Sequence, residues 1–301
     1  MAAGGGARLC EPQLAWNGHA AAGHRPALRA FSLVEVLVVV SLMSLIVLAL
    51  MAVFTSTQRA FRASVTQSDV LEGSRAAMEL MAADLRAMTP SAGVSNITTG
   101  SVNFFVAANS SYLPLTQTLP GSSLSRTNVL NYFFVLGRDN TKWTATGYIV
   151  DSASTSPLYP LYRFYGETNV ANSPWLLYYN FVNSQYTNMS HLMDGVVHLT
   201  VHAYDTNGAW INNSGFYRYT NAVNTYFLST AYGEPQLYMY SNTIPASVEL
   251  ELGVLEDRVL ARAESRATPA LQAQYLSDKS GNVHIFRQRV SIPNVDPTAY
   301  Q

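Results

Sequence analysis

Between Phe31 and Phe54 the chain runs through twenty-four almost wholly apolar residues that carry one charge, Glu35, close to the start of the run. About 20 apolar residues suffice for a helix to cross the hydrocarbon of a bilayer. Neither Gly nor Pro occurs from Phe31 to Glu72, so the pattern predicts one uninterrupted helix that begins inside the apolar segment. A lone carboxylate in such a span is costly, which makes Glu35 a functional position by default.

Charge sets the expected topology. Arg25 and Arg29, with His24, precede the span, whereas Arg59 and Arg62 follow only after the apolar run has ended. The positive-inside tendency then favours a cytoplasmic N-terminus and an exported C-terminal part. A cleaved secretory signal fits less well, because its apolar core is shorter than this run. The plainest alternative is an uncleaved signal anchor.

Beyond Phe54 the pattern turns amphipathic. Leu71, Met78, Met81, Leu85 and Met88 recur at three- and four-residue spacing as one apolar stripe, with Asp69, Glu72, Arg75, Glu79 and Arg86 mostly off it. Gly73 weakens the helix locally, and Thr89-Pro90 ends it. A helix over 31–88 would be roughly 87 Å long at about 1.5 Å per residue. Only about 30 Å of that fits a bilayer, so the stripe needs a cover, and the remainder of the chain has to supply it.

After residue 90 short runs rich in aromatic and β-branched residues alternate with Asn, Ser, Gly and Pro clusters. Strands are expected over 102–107, 129–136, 143–150, 158–165 and 175–182. The clearest are 195–204, with Val197, Leu199 and Val201 opposite His198, Thr200 and His202, and 244–255, with Val248, Leu250 and Leu252 opposite Glu249 and Glu251. Such one-sided strands suit an antiparallel sheet with its other face in solvent. Residues 256–280 read as an insertion with a short helix over 256–266, and 283–293 as a last strand. The expected fold class is α+β.

Few chemistries survive inspection. Residues 1–30 contain three arginines and one glutamate, so removing them leaves 15 basic against 18 acidic residues, a net charge of −3; no basic surplus exists to draw nucleic acid. Cys10 is the single cysteine, which leaves the rest of the chain without thiol or disulfide chemistry. His198 and His202 would share a zinc ion on a helix, but in a strand they stand about 13 Å apart and are expected to be exposed. Asp205-Thr-Asn207-Gly208 imitates the start of a calcium loop, yet Ser214 stands where the bidentate Glu belongs, so a turn is the better reading. Glu249 and Glu251 lie roughly 6.6 Å apart along one face, a spacing any alternating strand produces. No Gly-x-Ser-x-Gly elbow or phosphate-cradling loop occurs. No catalytic residue, metal ligand or cofactor is assigned, and the chain does not read as an enzyme.

The run Arg29-Ala30-Phe31-Ser32-Leu33-Val34-Glu35 resembles the cleavage and methylation motif of the type IV prepilin family, with Ala30 where that family usually has Gly. The resemblance implies that a prepilin peptidase cuts between Ala30 and Phe31, that Phe31 becomes N-methylated, and that Glu35, at the fifth mature position, serves filament assembly. Asp84-Leu85-Arg86 within 75–88, Leu192-Met193-Asp194-Gly195-Val196-Val197, Tyr204-Asp205, Trp210 and the run opening at Ile244-Pro245 look like J-type minor pseudopilins of type II secretion and W-type minor pilins. On that footing residues 1–30 are a leader, 31–54 the transmembrane half of the helix, 55–90 its amphipathic half, and 91–301 a β-rich exported head. The resemblance further implies an inner-membrane subunit with its head in the periplasm, which initiates, caps or decorates a pseudopilus or type IV pilus. Other pilins would be its partners. The competing reading is a single-span, membrane-anchored extracytoplasmic binding protein that never enters a filament.

Overall fold

The computed structural model describes residues 32–93, 100–109, 114–150, 158–185, 188–212 and 225–300. Two compact units divide the chain at Gln58/Arg59. The first consists, in its described part, of the beginning of α1 (Leu33–Arg86). Every described residue from Ser32 to Arg62 is exposed. The expected apolar helix is present, and Leu33–Arg62 is long and apolar enough to cross a membrane.

The second unit is an α+β head built on a curled nine-stranded sheet whose strand pairs are all antiparallel. In chain order its strands are β1 (Val102–Ala108), β4 (Asn131–Asp139), β5 (Lys142–Val150), β6 (Tyr159–Asn169), β7 (Ser190–Tyr204), β8 (Thr225–Ala231), β9 (Glu234–Tyr240), β10 (Ser247–Leu255) and β11 (Val283–Ser291). Across the sheet the order is β11-β10-β7-β6-β5-β4-β1-β9-β8. A separate hairpin, β2 (Thr116–Thr118) with β3 (Ser125–Thr127), and three short helices, α2 (Trp175–Asn183), α3 (Asp257–Glu264) and α4 (Pro269–Ser277), complete it.

The helical stripe is covered as expected, with one shift. Met78, Met81, Leu85 and Met88 are buried against Phe104, Phe133, Tyr148, Leu161, Leu199 and Leu250. Leu71 is only half-buried, and Val70, Ser74 and Ala77 carry the buried line instead. Ser74 tolerates this place because its hydroxyl donates to the Val70 carbonyl at 2.7 Å. The helix leaves the sheet at a fixed point: Thr89 N–H donates to Leu136 O at 2.9 Å, and Asn294 Nδ2 donates to Met88 O at 2.8 Å.

Four sequence expectations fail for physical reasons. Residues 175–182 form helix α2, not a strand. This stretch is apolar on nearly all sides, so period alone cannot separate helix from strand. What decides is the sheet's outer face, where Phe105, Phe134, Trp143 and Phe164 lack cover until Leu177 and Phe181, four residues apart, seat on them. The approach is close enough that a Cβ at Gly147 would stand 2.4 Å from the Phe181 ring.

The outer face is therefore not simply solvated. Near β7 and β10 it is sheltered by α3, α4 and the loop before β2, through Leu115, Leu158, Val197, Leu255, Val259 and Leu276. Strand β7 also breaks its alternation. Gly195 takes φ +73° and the pairing with β10 slips between Gly253 and Val254, so that Val196 joins the helix-side core while Val197 turns outward.

His198 is buried, not exposed. Its Nδ1 accepts from Val129 N–H at 3.1 Å, which places the ring proton on Nε2, 3.5 Å from Glu251 Oε1. His202 is half-buried, with Nε2 3.0 Å from Glu234 Oε2. The sequence also left β2, β3, β8, β9 and α4 unassigned.

Candidate functional site

Among the described residues, the N-terminal end of α1 is where a charge and a long uncovered apolar surface coincide. Ser32 stands just outside the helix. Its N–H and Oγ donate to Glu35 Oε2 at 3.1 and 3.2 Å, and its Oγ accepts from Glu35 N–H at 3.2 Å. This is a reciprocal capping box, which satisfies donors that the first turn otherwise leaves open. Both Ser32 bonds fall on Oε2. Oε1 of Glu35 has no hydrogen-bond partner among the described residues.

Further along, four hydroxyls fold back on the helix. Ser41 donates to Leu37 O and Ser44 to Val40 O, both at 2.8 Å; Thr55 donates to Met51 O at 3.0 Å and Thr57 to Val53 O at 2.9 Å. A surface with its polar groups satisfied internally suits hydrocarbon. Between Leu33 and Gln58 only Glu35 is ionisable. Ala30 and Phe31, the expected cleavage and methylation positions, lie outside the described residues.

No protein-family model, curated protein or solved structure matches this chain.

In the head, Asp84 is a residue whose role sequence reasoning missed. It lies at the edge of the buried stripe and accepts from Arg163 Nε at 2.8 Å, Arg163 Nη2 at 3.0 Å and Tyr148 OH at 2.5 Å. The bidentate bond to Asp84 raises the Arg163 pKa, while burial, reinforced by the carboxylate, raises that of Tyr148. Sequence separations of 64 and 79 residues hide this group from any local pattern.

The other residues weighed as ligands or acids are occupied. Asp205 Oδ1 accepts from Asn207 N–H at 2.9 Å and Ala209 N–H at 2.7 Å, and Gly208 takes φ +78°, so this stretch is a turn. Ser214 lies outside the described residues. Glu249 and Glu251 both face Arg287, at 3.6 and 2.5 Å. Bonds from His198 and then Arg287 hold the Glu251 carboxyl at about 2, well below the ordinary carboxylate value. Among the described residues no group of three or more His, Cys, Asp or Glu is placed to hold a metal ion.

Proposed function

We propose that the chain is a minor pilin or pseudopilin: a subunit held in the inner membrane by its N-terminal helix, with an exported head, that assembles into a type II secretion pseudopilus or a type IV pilus. The observation that carries this reading is Glu35, the sole ionisable group between Leu33 and Gln58 on an exposed apolar helix. Packing such helices together would desolvate the carboxylate, and a lone buried charge is far worse than a matched one. Cleavage between Ala30 and Phe31 creates an amine that supplies the match from a neighbouring subunit, and Oε1 is the oxygen with room to receive it. Prepilin peptidase and other pilins are then the partners, and Phe31 is the methylated residue.

The capping box favours a second reading. Ser32 and Glu35 would cap the first turn equally well in a single-span anchored binding protein that enters no filament. Mass spectrometry of the membrane-bound chain separates the two. Loss of residues 1–30 with N-methylated Phe31 supports the pilin reading; an intact N-terminal segment supports the anchor. Glu35→Leu provides the functional arm. It should insert more easily, by up to roughly 2.5–3.5 kcal/mol, yet be absent from sheared filaments and from cross-links to partner subunits. Normal assembly of that variant would sink the pilin reading.

A further inference from the structure

The two edges of the sheet differ. β8 breaks its register with β9 between Phe227 and Thr230, the kind of irregularity that blunts an edge. β11 is 9 residues long, holds no proline and pairs with β10 from Val283 to Ser291 without a break. Ile292 N–H donates to Ala246 O at 3.0 Å and Glu256 N–H to Asn282 O at 3.1 Å, and both pairs continue that register. Bonded pairs alternate along an antiparallel ladder. The even-numbered residues of β11 therefore bond to β10, whereas Ile285, Arg287 and Arg289 turn N–H and C=O away from it. No strand lies on that side among the described residues, and no described group bonds these backbone atoms.

An open groove of about 380 Å³ borders this edge, lined by Arg75, Met78 and Glu79 of α1 and by residues 285–288 of β11. On the helix side the apolar side chains are Met78, which is buried, and Phe286, which packs on the same core and stays partly open. The side chains of Ile285, Arg287 and Arg289 stand on the other face of the sheet. That of Arg287 is 65% exposed, against 21% and 18% for Glu249 and Glu251, its partners on β10. It bonds Glu251 through Nε and Nη2, so Nη1 has no hydrogen-bond partner among the described residues. The glutamates lie one strand further in, about 4.8 Å away. A chain approaching this edge therefore meets arginine first.

We propose that β11 receives an extended, acidic segment of another protein as an added strand. The outward N–H and C=O groups supply the main-chain bonds, and the two faces supply the selection of side chains. Every second residue of the incoming strand would lie over Met78 and Phe286 and be apolar. The residues between them would lie beside Arg287 and Arg289 and be acidic, since opposite charges on neighbouring strands attract. A second copy of this chain is the competing occupant. Two β11 strands paired antiparallel about their midpoints would set the two Arg287 residues directly opposite, and like charges there are destabilising. The inference is independent of filament assembly.

The test uses the full chain in a nonionic detergent and two acetylated heptapeptides, one alternating Glu with Val and one alternating Lys with Val, titrated by calorimetry. The Glu/Val peptide should bind and the Lys/Val peptide should bind more weakly, with amide exchange slowed at Ile285, Arg287 and Arg289. A strand offers only alternate amides to its neighbour. N-methylation of one set of Glu/Val amides should therefore abolish binding, and methylation of the other set should leave it; these peptides test the edge without altering the protein. Ile285→Pro removes one outward N–H while keeping the bonds to β10, and should weaken binding by about tenfold or more. Arg287→Glu should reverse the preference between the two peptides. Failure of the Glu/Val peptide to bind, or equal binding of both methylated forms, would overturn the inference. So would tighter binding of both peptides to Arg287→Glu, which would mean that the arginine only deters pairing. Self-association of the chain that Ile285→Pro abolishes would assign the edge to a second copy instead. None of these results bears on whether Glu35 is needed for assembly.

Discussion

One helix meets two environments. From Leu33 to Gln58 every side chain is exposed among the described residues, although nearly all are apolar. From Arg59 to Arg86 the helix is less apolar, yet Met81, Ala82 and Leu85 are completely buried. Hydrophobicity therefore does not tell which half packs. Periodicity does: an apolar surface on every side has no preferred direction and suits a uniform apolar medium, whereas a stripe flanked by charges fits one surface. The difference extends to polar groups. In the first half hydroxyls turn back to carbonyls one turn earlier, while in the second Asp84 reaches across to two strands.

That contrast can be broken by substitution, measured as urea or thermal unfolding of a soluble fragment beginning at Arg59. Asp84→Ala should have the largest effect, about 3–5 kcal/mol, because it leaves the Arg163 guanidinium without its carboxylate in a partly buried site. Met81→Ala should cost about 2–5 kcal/mol as a buried truncation. In the full chain, Met43→Ala removes the same side chain from the exposed half and should leave head stability unchanged within about 0.5 kcal/mol. Equal losses from the two methionines would show that the halves are not distinct.

Gly147→Ala probes the opposite face of the sheet. The added Cβ meets the Phe181 ring, so α2 must move or the sheet must yield, at about 1–3 kcal/mol. Near-UV circular dichroism should change with it, because Phe134, Phe164 and Tyr178 crowd the same ring cluster. An unaltered spectrum and melting point would mean that α2 is not seated there.

A further test concerns acid. Glu251 has its pKa held at about 2 in the folded head, below the ordinary 4.5. Its contribution is thus fully present above about pH 4.5 and fades as pH falls toward 2. Unfolding free energy followed across that window should fall less steeply in Glu251→Gln than in the parent. Identical slopes would remove His198 and Arg287 as partners that matter.

Some of this was legible from residues alone. The apolar run, its single charge, the stripe after it, the alternating strands and the α+β class all follow from local pattern, because burial of one face imposes a period on the sequence. The capping box was legible too: Ser32 and Glu35 have the spacing of that motif. Strands β8 and β9 went unassigned. Their turn, Tyr232-Gly233, takes φ +55° and +84°, but a bulky residue at the first position disguises it.

Tertiary structure alone decided the rest. Residues 175–182 hold no period that distinguishes helix from strand, and became α2 because an aromatic sheet face needed cover. His198 reads as an outward residue of a regular strand, and is buried because Val129 arrives from sixty-nine residues away to donate to its ring. Asp84 stands among other helix charges that remain exposed, and nothing in its neighbourhood foretells Arg163 or Tyr148. Local chemistry fixes a residue's preference for water or for its own kind. Which partner meets it depends on how distant segments are brought together, and that is settled only when the whole core closes.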